Sequence, residues 1–284
     1  MTASSLAGRR VARMNGAGNK ILVLDLRGGG AAPPTPAQAR AIHRAPGLDY
    51  DQMMVLTDPH EAGTLAYVPI YNNDGSLAEA CGNGTRCVAD RLARETGAAR
   101  LSVQTARGII ACERLGTWEY RVDMGAPCLA AAEIPFAGKV DTASTIIPGA
   151  EAFGPAGLVN MGNPHAVFFV PDLDSVDLAK YGPPLETHPL FPDKANISFA
   201  QIRSPDRIRL KVWERGVGAT LACGSAACAT LVAAVRRGLS ARDAAVELPG
   251  GTLQIGWREA DGHVLMQGPV EFEREIELTA SMFA

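Results

Sequence analysis

Two Ala-Cys-Gly tripeptides, 142 residues apart, divide the 284-residue chain into equivalent halves. Cys81 lies in the first tripeptide and Cys223 in the second, and each tripeptide runs directly into a stretch typical of a helix. A duplicated chain is strongly constrained, because both halves must form the same arrangement of elements. A cysteine at a helix N-terminus is a candidate reactive thiol. Two of them in equivalent positions predict a pair of acid and base groups that serve one site.

The correspondence between the halves extends beyond the cysteines, although their sequence identity is low. At the same offset of 142 residues, the matching pairs are Tyr71 with Trp213 and Asn72 with Glu214; at an offset of 144, they are Asn19 with Asn163 and Gln52 with Asn196. It is this agreement in position among polar residues that supports a duplication.

The residue pattern predicts an α+β fold with two pseudo-symmetric halves, each a set of strands around one long helix. The two long helices are expected at 85–96 and 225–237, each followed by a glycine that ends it. A short helix is expected at 36–44, with Thr35 as its N-cap. The predicted strands are 11–14, 21–25, 53–56, 65–71, 101–105 and 120–124 in the first half, and 158–161, 166–170, 197–202, 208–213, 246–248, 252–257 and 264–266 in the second.

We expect two domains on this basis. Residues 1–127 would form an N-terminal α/β domain that carries Cys81, and residues 128–267 a C-terminal α/β domain that carries Cys223. The segment 126–148, rich in Ala, Pro and Gly, is interpreted as a linker between the halves.

Composition excludes several classes of partner. The formal net charge of −3 gives no basic surface for nucleic acid or an anionic membrane. No apolar run approaches the ~20 residues of a membrane span, and no apolar core follows Arg9 and Arg10 as it would in a secretory signal. The six cysteines are therefore expected to be reduced thiols in a cytoplasmic protein.

The cysteine spacing does not favour a metal site. Cys81 with Cys87, and Cys223 with Cys228, form C-x5-C and C-x4-C spacings rather than the C-x2-C of zinc knuckles. We expect no metal, and Cys87, Cys112, Cys128 and Cys228 are interpreted as small apolar residues.

Thiols at two helix N-termini suit a proton transfer that inverts a stereocentre. The helix dipole is expected to lower the pKa of both thiols, and the unpaired N–H groups of the first turn form an anion site. A carboxylate held there would have its growing negative charge stabilised while its α-proton is removed. One thiolate would take the proton and the opposite thiol would return one on the other face. Such a reaction requires no cofactor.

Polar residues near the cysteines suit a small zwitterionic ligand. The neutral hydrogen-bonding candidates are Asn19, Gln52, Asn72, Asn163 and Asn196. Arg215 can bind a carboxylate through two hydrogen bonds, and the adjacent Glu214 can bind an ammonium group. His165 begins an apolar strand, where a structural and a functional role remain equally open.

Several segments together resemble the diaminopimelate epimerase family, within the cofactor-independent amino-acid racemase group. In chain order, the matching segments are 14–19, Asp51-Gln52, 71–76, 80–87, 161–165, Asn196 and 214–225, which together cover nearly the whole chain. Such enzymes interconvert LL- and meso-2,6-diaminopimelate on the route to lysine and peptidoglycan.

The resemblance implies roles for particular residues. Cys81 and Cys223 would be the two catalytic bases, with His165 and Glu214 at positions important for activity. The residues that would bind substrate are Asn19, Gln52, Asn72, Gly82, Asn83, Asn163, Asn196, Glu214, Arg215, Gly224 and Ser225.

The resemblance also implies a fold of two similar α/β domains, each a sheet wrapped around a central helix, with the site between them. The C-terminal strand, within 268–284, would return to the first domain. A homodimer is a possible assembly, which the sequence itself leaves open.

The chain departs from the family pattern at three places. Lys20-Ile21 stands where Asp-Phe is usual, Ala219 where Glu is usual, and Ala226 where Gly is usual. None of these changes removes a proposed catalytic group, and alanine is a good helix residue at 226.

Other functions stay open at this stage. A related racemase acting on proline or hydroxyproline would use the same cysteines, although Arg215 and the asparagines favour a substrate with a second charged end. A thiol redox protein lacks support from any C-x-x-C motif, and a non-catalytic amino-acid-binding protein would bind without α-proton exchange. The five lysines do not exclude pyridoxal phosphate, but the cysteine pair makes it unnecessary.

Overall fold

The strands before and after Cys81 form the first of two units into which the chain divides. The computed structural model describes residues 5–138 and 140–283, and this unit takes the described residues up to Val122 and from Gly268 onward. Its strands are β1 (Arg10–Gly16), β2 (Asn19–Asp25), β3 (Gln52–Leu56), β4 (Ile70–Asn72), β5 (Leu77–Ala78), β6 (Arg100–Thr105), β7 (Gly108–Arg114), β8 (Glu119–Asp123) and β17 (Glu271–Glu277). Its helices are α1 (Pro36–Arg44) and α2 (Gly82–Thr96).

The main sheet of the first unit has the order β17-β1-β2-β3-β4-β5. Strands β2 and β3 run parallel, and the other neighbours run antiparallel. Strands β6, β7 and β8 pair antiparallel with one another. Helix α2 contacts β1, β2, β3, β6 and β7, so strands surround it on several sides. Its buried face accordingly extends over most of its length.

The second unit, Asp123–Gln267, carries Cys223. Its strands are β9 (Ala156–Asn160), β10 (Pro164–Phe169), β11 (Asn196–Ser204), β12 (Arg207–Glu214), β13 (Gly218–Thr220), β14 (Asp243–Leu248), β15 (Gly251–Trp257) and β16 (Val264–Pro269). Its helices are α3 (Leu178–Glu186) and α4 (Gly224–Arg236), with a short 3-10 helix at Glu151–Phe153.

In the second unit, the strand order is β16-β15-β14-β12-β11-β10-β9, with β13 also paired to β12. Strand β10 runs parallel to β11 and β12 parallel to β14, while the other neighbours run antiparallel. Helix α4 contacts β9, β10, β11, β12, β14 and β15. The nearly all-apolar sequence of α4 matches this burial on every side.

The element order of the second unit repeats that of the first. In each, two strands, a short helix, three strands, a long helix and three strands follow one another. The first five strands also have the same spatial order, β1-β2-β3-β4-β5 and β9-β10-β11-β12-β13. The second and third of these are the parallel pair in both units. This shared topology supports the duplication that the paired cysteines indicate.

The segment interpreted as a linker is part of the second unit's core. Ile134, Phe136 and Ile147 are buried there against strands β9, β10 and β11. Its backbone also forms isolated bridges, between Cys128 and Asn160 and between Thr145 and Ala156. The sequence of this segment lacks a regular pattern because the segment packs into the core as irregular structure. The interpretation as a linker that separates the halves was therefore wrong.

The residues that the structure describes include no helix both long and apolar enough to cross a membrane.

Candidate active site

Cys81 is the N-cap residue of α2. Its backbone is extended, with φ −150° and ψ 96°, and its Sγ accepts a hydrogen bond from the N–H of Gly84 at 3.1 Å. The Thr85 hydroxyl donates to the carbonyl of Cys81 at 2.8 Å, which fixes the backbone on the other side. The thiol is buried, with 9% of the residue exposed. Local capping therefore holds Sγ at the positive end of the helix.

Asn19 presents its amide oxygen to the Cys81 thiol. The Sγ–Oδ1 distance is 4.0 Å, and the amide nitrogen of Asn19 donates to Asp51 Oδ2 at 2.8 Å. The backbone N–H of Lys20 donates to the same carboxylate oxygen at 2.8 Å. Asp51 thus sets which end of the Asn19 amide faces the thiol.

The other predicted residues of the first unit lie at strand ends or in the first turn of α2. Gln52 begins β3 and Asn72 ends β4; the two are paired across the sheet, and Gln52 Nε2 donates to Asn72 Oδ1 at 3.4 Å. Gly82 and Asn83 open α2, and Asn83 is buried with its Oδ1 lacking a hydrogen-bond partner among the residues that the structure describes. A buried acceptor left unpaired is costly, so Asn83 is suited to a donor brought by a ligand.

Cys223 occupies the equivalent position in the second unit. It is the N-cap of α4 with φ −139° and ψ 109°, close to the backbone conformation of Cys81. Its Sγ lies 3.5 Å from the hydroxyl of Ser225, and 6% of the residue is exposed. Gly224 and Ser225 open the helix.

A chain of hydrogen bonds leads from His165 to Cys223. His165 Nε2 lies 2.9 Å from Asn163 Oδ1, so the proton of the imidazole is on Nε2 in this contact. Asn163 Nδ2 donates to Ser225 Oγ at 3.2 Å, and Ser225 Oγ in turn lies 3.5 Å from Cys223 Sγ. Burial, and then the positive charge of Arg215, lower the pKa of His165 to about 3. The histidine is therefore neutral near pH 7.

The expectation of a lowered thiol pKa was wrong for Cys223. Burial raises the pKa of this thiol well above its ordinary value, and the negative charge of Glu214 acts in the same direction. The hydroxyl of Ser225 and the N–H of Ala226 act in the opposite direction but are outweighed. The position at the helix N-terminus alone does not set the pKa of Cys223, because desolvation destabilises the thiolate more than the helix dipole stabilises it.

Glu214 and Arg215 lie where β12 ends. Glu214 Oε1 accepts a hydrogen bond from the Thr220 hydroxyl at 2.5 Å. The backbone N–H of Arg215 donates to Asn196 Oδ1 at 3.0 Å, and Asn196 Nδ2 donates to the carbonyl of Pro164 at 2.9 Å. Asn196 is itself paired with His165 across the parallel strands β10 and β11. The second unit thus brings all of its predicted site residues into one cluster.

Three residues of these clusters were given no role by the sequence reasoning. Thr220 holds Glu214, Glu186 contacts the turn after β12, and Asp51 holds Asn19. Thr220 and Asp51 lie within segments that match the family, whereas Glu186 lies outside them and its partners are distant in the chain.

The three departures from the family pattern are accommodated locally. Lys20 forms an ion pair with Asp49 at 2.7 Å, Ala219 is exposed on β13, and Ala226 is buried in the first turn of α4. None displaces a cysteine.

The two units share one topology, each with a cysteine at the start of its long helix, and this fold has counterparts among solved structures. A solved structure of a predicted epimerase from Pseudomonas aeruginosa superposes with a TM-score of 0.67 at 16% identity, covering 95% of this chain and 99% of that one. At this identity, the likeness concerns the fold, and it confirms the predicted α+β fold class.

The sequence comparisons define the family. The family model for diaminopimelate epimerase matches residues 11–130 and 157–273. The diaminopimelate epimerase of Methylocella silvestris is 54% identical over 98% of each chain, and that of Acidiphilium cryptum is 50% identical over 98% of this chain and 99% of its own. The chain belongs to the diaminopimelate epimerase family, as its motifs predict.

Proposed function

We propose that this protein is a diaminopimelate epimerase, an isomerase that inverts one α-carbon of LL-2,6-diaminopimelate to give the meso form. The observation that carries the proposal is the equivalence of Cys81 and Cys223. Each is the N-cap of the long helix of its unit, in nearly the same extended conformation and after the same order of elements. The two units would act as the two domains of the family, each contributing one cysteine.

The first turn of each long helix would hold the substrate's α-carboxylate. N–H groups at a helix start lack partners within the helix and point along its axis. Gly82 and Asn83 open one helix, and Gly224 and Ser225 open the other. Removal of the α-proton builds negative charge on the carboxylate, which these donors stabilise more strongly in the transition state.

The two thiols would exchange the proton on opposite faces of the α-carbon. One sulfur, as thiolate, takes the proton, and the other, as thiol, delivers one to the far face. Burial and Glu214 favour the protonated form of Cys223, which is the form that donates. Cys81 would then be the base in that direction, and the roles reverse for the opposite isomer.

The distal end of diaminopimelate carries a second carboxylate and ammonium. Arg215 would bind that carboxylate, with Asn163 and Asn196 supplying neutral contacts. Glu214, which acts on the Cys223 thiol, would bind the ammonium of the reacting end. An ammonium beside Glu214 would offset the charge that raises the pKa of Cys223. In the first unit, Asn19, Gln52 and Asn72 would line the same ligand, and the unpaired Oδ1 of Asn83 would accept one of its N–H groups.

His165 would act by orientation rather than by proton transfer. Its neutral ring fixes the Asn163 amide, which in turn orients the Ser225 hydroxyl toward Cys223. It therefore influences the Cys223 thiol through two intermediate side chains.

The experiment is α-proton exchange followed by NMR, with LL-diaminopimelate in D2O and no added cofactor. We expect deuterium at the α-carbon together with meso product, and no exchange with proline in the same assay. Cys81→Ala and Cys223→Ala should each lower turnover at least ~100-fold, because each removes an acid/base group. Cys128→Ala is the matched control, since this cysteine is part-exposed and distant in sequence from both motifs. Full activity in either of the first two variants would contradict the mechanism.

The reaction requires reduced thiols, which supports a cytoplasmic location. No disulfide joins any two of the six cysteines, all of which lie in the described part of the chain. A monomer and a homodimer are the two assemblies to separate by light scattering.

A further inference from the structure

The turn between β12 and β13 carries two of the proposed substrate contacts. We refer to residues 214–218 as the β12–β13 turn. It begins at Glu214 and Arg215 and closes through a hydrogen bond from Val217 N–H to the Glu214 carbonyl at 3.1 Å. Gly216 and Gly218 have φ of 76° and 102°, and Val217 is 68% exposed. A short exposed turn of this kind needs an external contact to fix its charged side chains.

The carboxylate of Glu186 makes that contact, because it binds the residue before Glu214 and the residue after Arg215. Its Oε2 accepts from the indole N–H of Trp213 at 2.7 Å, and its Oε1 accepts from the backbone N–H of Gly216 at 2.9 Å. Trp213 and Gly216 directly flank Glu214 and Arg215 in the chain. One carboxylate therefore joins the end of β12 to the middle of the turn.

Glu186 is itself held rigidly. It is the last residue of α3 and is 7% exposed. Helix α3 packs on Trp213 so closely that a Cβ at Gly182 would lie 2.5 Å from the indole ring. The carbonyl of Glu186 also accepts from the N–H of Ala195, one residue before β11 begins, at 3.1 Å. A carboxylate on such a base can impose a geometry on the turn.

The charge state of Glu186 suits this task. Burial alone would raise its pKa, but the hydrogen bonds from Trp213 and Gly216 and the charge of Lys194, 3.7 Å away, outweigh burial and lower it. The carboxylate is thus ionised near neutral pH and can accept both hydrogen bonds, which are stronger for a charged acceptor.

We propose that Glu186 is a positioning residue whose carboxylate fixes the β12–β13 turn so that Glu214 and Arg215 face the substrate. This role rests on the proposed epimerase function for its effect on turnover. The effect of Glu186 on the environment of Cys223 does not depend on the epimerase function, because Glu214 acts on that thiol in the structure itself.

The decisive variant is Glu186→Gln. Glutamine retains one acceptor oxygen but places an NH2 group against the second N–H donor, so one end of the turn is released. Because Arg215 on this turn would bind the distal end of the substrate, KM should rise about tenfold, the loss of one hydrogen bond of ~1.4 kcal/mol.

Trp213→Phe provides a second test if Glu186→Gln folds poorly. It keeps an aromatic ring against Gly182 but removes the indole donor. A smaller rise in KM in the same direction is expected. Asp177→Ala is the matched control, because it removes the N-cap of α3, where Asp177 accepts from the Lys180 N–H at 3.1 Å, and leaves the Glu186 contacts in place.

The second readout is the pH dependence of iodoacetamide alkylation at Cys223, followed by peptide mass spectrometry. Release of the turn moves Glu214 away from the thiol, so the alkylation curve of Glu186→Gln should shift to lower pH than that of the wild type. Unchanged KM and an unchanged curve in folded Glu186→Gln would overturn the proposal. The proposal would also be overturned if Asp177→Ala reproduced both effects, because Glu186 would then act only by stabilising α3.

The two proposals fail differently. If the wild-type protein does not epimerise diaminopimelate, the proposed function fails, while the alkylation curves still decide whether Glu186 positions Glu214. If the wild type is active and the curves coincide, the inference alone is wrong.

Discussion

His165 illustrates how burial decides what a titratable side chain can do. The residue is fully buried, and no atom within 5–138 or 140–283 forms a hydrogen bond with its Nδ1. A charged imidazolium there would lack both water and a counter-charge, while Arg215 adds repulsion. The neutral ring is therefore the stable form, and its remaining N–H orients Asn163.

Stability should depend on pH through this residue. The pKa of His165 falls from its ordinary 6.5 to about 3 on folding, so the unfolded chain binds the proton first. The stabilising contribution is complete above pH 6.5 and is lost as pH falls toward 3. Between pH 7 and 5 the loss should be ~2 kcal/mol, at ~1.4 kcal/mol per pH unit.

Urea unfolding at both pH values, compared with His165→Gln, isolates that contribution. Glutamine does not titrate, so the variant should lose ~2 kcal/mol less than the wild type over this interval. Equal losses in the two proteins would show that His165 is not buried as a neutral ring.

Candidate site residues could be proposed from the sequence where a motif carried them. The two cysteines lie at matched offsets in the chain, as do Asn19 with Asn163, Gln52 with Asn196 and Asn72 with Glu214. Glu186 was not predictable, because its partners Trp213 and Gly216 lie 27 and 30 residues away and meet it only through the packing of α3. The raised pKa of Cys223 also required the three-dimensional burial of the thiol.

The first turns of α2 and α4 both open with glycine but differ at the third position, where only one of them has a second glycine. Gly84 in α2 corresponds to Ala226 in α4, at the offset of 142 that relates the cysteines. A Cβ at Gly84 would lie 2.4 Å from Met54 Sδ and 3.1 Å from Cys81 Sγ. The second helix accommodates such a Cβ, since Ala226 is buried there.

Gly84→Ala should therefore disturb Cys81, whereas Ala226→Gly should show only the cost of glycine in a helix. We expect Gly84→Ala to lose at least ~10-fold in turnover and ~1–3 kcal/mol of stability through overpacking. Ala226→Gly should lose ~1 kcal/mol of stability. Turnover and urea unfolding of the Gly84→Ala and Ala226→Gly variants measure these effects. A Gly84→Ala variant with wild-type activity and stability would refute the close contact at Cys81.

Elements with clear end signals were predicted, and those without them were not. Helices α1, α2 and α4 matched to within three residues, because a cap or a following glycine marks each one. Helix α3 was missed because Pro183 and Pro184 lie inside it and are typical of a turn. Strand β7 was missed because its apolar residues, 109–112, are consecutive and do not alternate with polar ones. The strand expected at 65–71 is shorter, since only Ile70–Asn72 forms it.

At the scale of the whole chain, β17 breaks the repeat. It has no counterpart in the order of the second unit, and it pairs antiparallel with β1 at the edge of the first unit's sheet. The chain after β17 is anchored as well, because Leu278 N–H donates to the Arg9 carbonyl at 2.8 Å and Gly8 N–H donates to the Leu278 carbonyl at 2.7 Å. The first unit is therefore completed by residues from both ends of the chain.

Leu278 should contribute to stability as a core residue does, although it lies near the C-terminus. It is fully buried in a cluster with Leu6, Val11 and Ile42. Leu278→Ala should cost ~2–5 kcal/mol, because truncation leaves a cavity among these side chains. Phe272→Ala is the matched control on β17, where the ring is 42% exposed, and should cost less than ~1 kcal/mol.

Hydrogen exchange distinguishes this local anchoring from a general loss of stability. In Leu278→Ala, amide protection should fall in β1, β2 and α1, which share the core around Leu278, while β14 and β15 of the second unit keep theirs. An equal fall in all of these strands would mean that the two units unfold as one. No fall in β1 would mean that the C-terminal segment is dispensable for the first unit, contrary to its pairing with both Gly8 and Arg9.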